Sequence, residues 1–331
     1  MTVIDVHNHF YPPAFIEALR DGAGAVRVTE DAEGNPVLSS PGDVNVAVRG
    51  HRDIRYRQQV LDREGVDRQL ISLTTPGTLL EPPARSVELA SLVNDAFAEI
   101  VATRGDRFSA LATLPLNDPA GSVAELERVV GTMGFQGCMV FGNVNGVPLA
   151  DHRFWPLYER AHERRAILYI HPTFPLGVEA MEEYWLMPLV GFLFDTTLAA
   201  AGLVFSGVVE RFPGIRWVLG HLGGAIPYLA ERLDRGYDAF RACRAHISRP
   251  PSEYLKTFYY DTVNFDPRAL ELAVGFAGAG QLLAGSDYPH QIGSIAKMRE
   301  SLAAIEVSAA DRARILGDNA ARLLGLSEPA R

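Results

Sequence analysis

With 331 residues, 47% of them hydrophobic and 21% charged, the chain is ordinary for a globular protein and long enough to bury a sizeable core. Its net charge is −9 with both signs interspersed, and the absence of a basic run argues against a nucleic-acid partner. Its two cysteines, Cys138 and Cys243, lie far apart, which excludes a disulfide framework and a C-x-x-C site and fits a reducing, cytoplasmic compartment.

The first stretch, Ile4-Asp5-Val6-His7-Asn8-His9, reads as a strand entered directly from Met1-Thr2-Val3, with no signal peptide. Strict alternation places Asp5, His7 and His9 on one face and Ile4, Val6 and Asn8 on the other. Two imidazoles on one face at a strand end suit a divalent transition metal. Pro12-Pro13 then opens a short helix. Residues of about 22–52 carry short alternating pieces around a Glu33-Gly34-Asn35-Pro36 turn, which predicts a small β insertion.

From Asp53 the rhythm is regular. A helix reaches Glu64 and stops at Gly65, and residues 69–74 form a second strand. Leu89, Leu92, Val93, Ala96, Phe97 and Ile100 give the next helix its apolar stripe. Strands follow at 108–114, 137–141, 166–170, 215–219, 258–261 and 281–284, each separated by a helical pattern. The apolar stretch from Tyr184 to Val209 is broken by Pro188 and Asp195, so it holds no uninterrupted run of about 18 apolar residues. It reads as a buried helix running to about Phe212 and partly engaged in a subunit contact, not as a membrane span. Two short helices split near Gly317 close the chain.

Eight strands alternating with helices define an α/β fold, a (β/α)8 TIM barrel with a small β insertion after the first strand, and 1–331 reads as one barrel domain. In such a barrel the C-terminal strand ends share one mouth. His7 and His9 close strand one, His171 closes strand five, His221 strand six and Asp287 strand eight. Any one histidine there is readily explained by a backbone partner. Chance would have to put four of the nine histidines at strand ends. His7, His9, His171 and Asp287 supply three nitrogens and one oxygen for a metal, with a position left for water or substrate. His221 is a further ligand or a free acid/base. Asp261 reads first as a cap on strand seven. The glycines of 275–280 precede a strand instead of following one, so they form no dinucleotide site, and neither G-x-S-x-G nor a P-loop occurs. A metal that holds the substrate and an acid that protonates it would require no organic cofactor.

The motifs Ile4-Asp5-Val6-His7-Asn8-His9-Phe10, His171-Pro172, Gly220-His221-Leu222-Gly223-Gly224 and Gly285-Ser286-Asp287-Tyr288-Pro289 resemble those of the amidohydrolase superfamily. The resemblance is closest to its aminocarboxymuconate-semialdehyde decarboxylase branch, which also holds resorcylate and carboxyvanillate decarboxylases. It implies a mononuclear metal, zinc first and manganese second, held by His7, His9, His171 and Asp287. It implies His221 as the acid/base beside the metal, and Asp5 as a supporting residue that reaches the metal in some relatives; for the chemistry, His221 or Asp287 is the acid that would protonate the substrate carbon. Trp185 matches a tryptophan lining the substrate site, and His290 falls at its rim. The branch carries an arginine in the insertion that grips a substrate carboxylate. An ungapped alignment puts Asn45 there, and Arg49 is the candidate to replace that arginine.

The function implied is a metal-dependent, non-oxidative decarboxylase of an unsaturated or aromatic carboxylic acid. The competing reading is a hydrolase or hydratase of the same superfamily that attacks with a metal-bound hydroxide. Both take a small carboxylate substrate. The relatives and the apolar helix together imply a homodimer.

Overall fold

A computed structural model describes residues 2–22, 24–40, 43–175, 177–181 and 183–326. Parallel pairing begins with β1 (Ile4–His9), which after an insertion meets β5 (Arg68–Ser72). The insertion is an antiparallel sheet of β2 (Arg27–Glu30), β3 (Pro36–Ser40) and β4 (Asp43–Val46), as the alternating pieces predict; residues 23, 41 and 42 of it lie outside the described set. The third barrel strand is split at Leu111 into β6 (Phe108–Ala110), paired with β5, and β7 (Ala112–Thr113), paired with β8 (Gly137–Phe141). A small hairpin, β9 (Asn143–Val144) and β10 (Val147–Pro148), precedes the last four strands. These are β11 (Ile167–His171), β12 (Arg216–Leu219), β13 (Tyr259–Asp261) and β14 (Leu282–Leu283), each parallel to the one before it.

Closure runs through the backbone between β14 and β1. Val6 N–H donates to Ala284 O at 2.8 Å, Asp287 N–H to His7 O at 2.7 Å and His9 N–H to Tyr288 O at 2.9 Å. The chain is therefore an eight-stranded (β/α)8 barrel. Ile4, Val6, Leu70, Leu111, Met139, Ile167, Val218 and Leu283 fill its interior, and Leu323 and Leu324 of the last helix plug the end opposite the mouth. A second, larger apolar cluster lies between strands and helices.

Local signals explain most boundaries. The Asp53 carboxylate accepts from the N–H groups of Arg55 and Tyr56, so the next helix starts at Ile54; it ends where Gly65 turns left-handed at φ 66°. Three expectations are corrected. The apolar helix does not run on to Phe212: Phe192–Phe205 ends at Ser206, and Gly207, at φ 82°, redirects the chain into a separate turn. The C-terminal split lies at 305–308, where Ser308 caps a new helix, and Gly317 instead lets a continuous helical run pack against the backbone of Thr2.

Strand β1 also departs from strict alternation. Its register with β5 shifts between Asp5 and Asn8. Alternation is broken there, so Asp5 does not share a face with His7 and His9. Asp5 and Asn8 instead join one polar network outside the site. Gln69 donates to Asp5 at 2.7 Å, and the fully buried Arg57 donates to Gln69 at 3.1 Å and to Asn8 at 2.7 Å. His7 remains inside, edge-on to Tyr169.

Candidate metal centre and cavity

The bulge and the strand ends bring five side chains to one point at the barrel mouth. His7 Nε2 lies 3.1 Å from His9 Nε2 and 3.5 Å from Asp287 Oδ1, and His9 Nε2 lies 3.2 Å from the same carboxylate oxygen. One nitrogen each of His7, His171 and His221 forms a second, overlapping group with all atoms within 4.8 Å. His7, His9 and His171 are 2% exposed or less, Asp287 is 4% and His221 is 8% exposed.

The opposite ring nitrogens show why these atoms converge. His7 Nδ1 meets Asp261 Oδ2 at 2.5 Å, and His171 Nδ1 meets the Pro172 carbonyl at 2.7 Å. His9 Nδ1 lies 3.3 Å from Ser72 Oγ, whose own proton goes to the Asn8 carbonyl. With Nδ1 donating in each ring, the neutral tautomer turns an Nε2 lone pair inward. Three lone pairs and a carboxylate oxygen with no hydrogen-bond partner, Asp287 Oδ1, would repel one another without a cation among them. The donor set therefore fits a divalent metal, with an imidazole orienter of the usual kind behind His7.

Electrostatics agree at His9 and His171. Burial, then the charge of neighbouring imidazoles, holds His9 and His171 well below the ordinary histidine range, so both keep free lone pairs. Burial pushes His7 down too, but the Asp261 carboxylate outweighs it and the net direction is up. Asp261 shows the reverse balance: burial raises it, and the charge and hydrogen bond of His7 carry it down to about 2. His221 is lowered to about 4 by burial and then by His7.

Asp261 does more than cap β13. It accepts from the Tyr169 hydroxyl at 2.5 Å and from the N–H groups of His221, Leu222 and Val263 at 2.9–3.1 Å. His221 and Leu222 have φ of 51° and 58°, and Asp287 has 56°. Left-handed backbone at such residues costs about 1 kcal/mol or more each and persists only where it is held. For His221 the holding group is Asp261. The position of Asp261 at the end of a barrel strand is the signal that ranks it with the other five.

The cluster floors a cavity of about 650 Å³ lined on the insertion side by Asp43, Asn45 and His51, and elsewhere by Trp185, Phe192, His221, Asp287 and His290. The expected rim residues Trp185 and His290 are both on its wall. Arg49 is not: it begins a short helix, is 63% exposed and pairs with Asp53 at 2.9 Å. The reason is local, since Asp53 is already fixed as the cap of the next helix and lies four residues from Arg49. Asp5 is also absent from the cavity wall, but it braces the backbone beside the cluster: its oxygens accept from Gln69, from the Ser286 hydroxyl at 2.6 Å and from the N–H groups of His7 and Ser286.

A (β/α)8 barrel with this donor set at its mouth belongs to the metal-binding barrels. The assignment narrows with the family described as Amidohydrolase, whose model matches residues 4–326: the chain belongs to the amidohydrolase family. It is 32% identical over 278 residues to 2-amino-3-carboxymuconate-6-semialdehyde decarboxylase of Dictyostelium discoideum, covering 83% of this chain and 77% of that one. The crystal structure of 5-carboxyvanillate decarboxylase from Sphingomonas paucimobilis superposes with a TM-score of 0.87 at 27% identity, covering 98% and 99% of the two chains. A dihydroxybenzoic acid decarboxylase from Polaromonas sp. JS666, solved with manganese and 2-nitroresorcinol, gives 0.83 at 28% identity over 99% and 98%.

Proposed function

We propose that this protein is a metal-dependent, non-oxidative decarboxylase of an aromatic or unsaturated carboxylic acid. The observation that carries the reading is the convergence of His7, His9, His171 and Asp287 beside an unpartnered, buried His221 Nδ1 at the floor of the cavity. The named activities of the relatives support the same class of reaction.

His7, His9, His171 and Asp287 would hold the divalent ion. When bound, that ion would supply a positive charge that attracts the substrate's carboxylate and stabilises negative charge beside it. His221 rests neutral because it is buried. Arrival of an anionic substrate favours its imidazolium, which hands a proton to the carbon bearing the carboxylate. The carbon–carbon bond then breaks, its electron pair returns to the substrate, and carbon dioxide leaves. The balance is one carboxylate and one proton in, one protonated product and carbon dioxide out. Asp261 holds His221 in its strained backbone pose throughout. Trp185 and Phe192 supply apolar wall.

Zinc and manganese both suit these ligands, and zinc is the first choice for three imidazoles. Two free cysteines support a cytoplasmic location. A homodimer is supported by the exposed apolar side chains Leu189, Val190, Phe194 and Leu198 along the helix after β11.

The direct test is metal analysis with a carbon dioxide release assay on dihydroxybenzoate, methylsalicylate and carboxyvanillate. About one metal per chain is expected, with release abolished by chelation and restored by added divalent ion. Addition of water to the substrate with no carbon dioxide would favour the hydrolase or hydratase reading. His171→Ala should strip the metal. His221→Ala should keep it and lose about 100-fold to 10,000-fold in turnover; an active His221→Ala protein would end the acid/base assignment.

A further inference from the structure

The cavity has a second polar end. His51 is 1% exposed, faces the cavity, and has no hydrogen-bond partner on either ring nitrogen. A buried polar atom left idle costs about 1–3 kcal/mol, so such an imidazole is built to meet something that enters. Its ring centroid lies 5.0 Å from that of His290, which lies 5.0 Å from that of His9. The three rings thus form a row leading from the metal cluster along the wall. Among the described residues, neither His51 nor His290 belongs to a group able to hold a metal.

Charge limits what this end can bind. Among the described residues the cavity is lined by no lysine or arginine, while Asp31, Glu33 and Asp43 all face it. Arg57, behind His51, spends its guanidinium on Gly50, Asn8, Gln69 and His9. A second carboxylate would find no cation here and would meet Asp43. Burial, then His290, pushes the His51 imidazole well down, so it is neutral and offers one donor and one acceptor. A hydroxyl both donates and accepts, and a carboxylate only accepts.

We infer that His51 and His290 form a hydroxyl-recognition subsite, which makes the protein selective for hydroxylated acids with a single carboxylate over dicarboxylic acids. This rests on the decarboxylase reading only for which end of the substrate meets the metal. It makes His51 a specificity residue rather than a member of the acid/base machinery.

Binding to the metal-loaded protein by calorimetry tests it. The first pair of probes, 2-nitroresorcinol and nitrobenzene, differs in ring hydroxyls and has no carboxylate to lose. The second pair, isophthalate and benzoate, differs in one carboxylate. The hydroxylated probe should bind about tenfold tighter than nitrobenzene, the effect of one or two hydrogen bonds to buried partners. Isophthalate should bind no tighter than benzoate. His51→Leu should erase the hydroxyl preference with metal content unchanged, and His51→Asn, which keeps a donor and an acceptor, should retain most of it. A preference untouched in His51→Leu, or isophthalate binding tenfold tighter than benzoate, would overturn the subsite. The nitro probes do not turn over. Intact preferences without carbon dioxide release from any acid therefore refute the reaction alone, and release without the preferences refutes the subsite alone.

Discussion

His7 uses its two ring nitrogens against different partners. Nδ1 is engaged by Asp261, and Nε2 faces the proposed metal. A short, buried hydrogen bond to a carboxylate fixes the ring's tautomer and strengthens the opposite lone pair. Asp261→Asn removes that charge and also weakens the hold on the His221 backbone. The expected result is a 10- to 100-fold loss in metal affinity, read by competition with a chelating dye. An unchanged affinity would reduce Asp261 to a strand cap. The histidines and Asp287 are legible in the sequence because each ends an apolar strand, and a barrel aligns all such ends. His51 is not, since it lies in a loop-borne turn whose direction depends on how the insertion folds back. Arg49 is four residues from Asp53 in that same turn, and the local pairing turns it away from the cavity.

At the scale of elements, the helix Phe192–Phe205 is tied to the mouth by Asp195, which is 4% exposed. It accepts from Asn143 after β8 at 2.8 Å and from the Thr173 N–H after β11 at 2.9 Å. Burial pushes its carboxyl pKa up to about 6 in the folded protein, making it a weaker acid. The folded state therefore holds a proton that the unfolded chain has released above about pH 4. Stability from this group is full below that pH and declines as pH rises towards 6. Asp195→Asn removes the titration. Its unfolding free energy relative to wild type should improve by roughly 2–3 kcal/mol between pH 4 and pH 7, measured by urea unfolding. A constant difference across that window would contradict the buried-acid reading. The helix itself was visible as an apolar run. Its end at Ser206 was not, because Gly207 is one glycine in a stretch whose hydrophobicity continues past it.

For the whole molecule, the apolar helix is partitioned between two environments. Ala199, Ala200, Leu203 and Val204 are buried in the barrel's outer layer, while Phe194 and Leu198 remain 50% and 62% exposed. The run Met187–Phe205 is long and apolar enough to cross a membrane by composition alone, yet 44% of its most apolar window packs inside the fold. An apolar face flanking the cavity is what an isologous dimer would cover. Leu198→Arg should leave the fold intact and convert a two-chain species to a one-chain species in sedimentation. A single-chain wild type would remove the dimer proposal. Trp185 and Leu189 lie on the same stretch and line the cavity, so such a contact would also border the substrate entrance.

The barrel, and the meeting of His7, His9, His171, His221 and Asp287 at its mouth, can be read from the chain alone. Both depend on local rules: strand-helix alternation sets the fold class, and strand ends share one mouth. The remaining features rest on long-range contacts. A one-residue register shift in β1 moved Asp5 off the face that carries His7 and His9, because pairing with β5 outweighs strict alternation. The orienting role of Asp261 and the idle ring of His51 depend on contacts across 254 residues and on an insertion folded over the mouth. No periodicity encodes such contacts; they exist only once the barrel has closed.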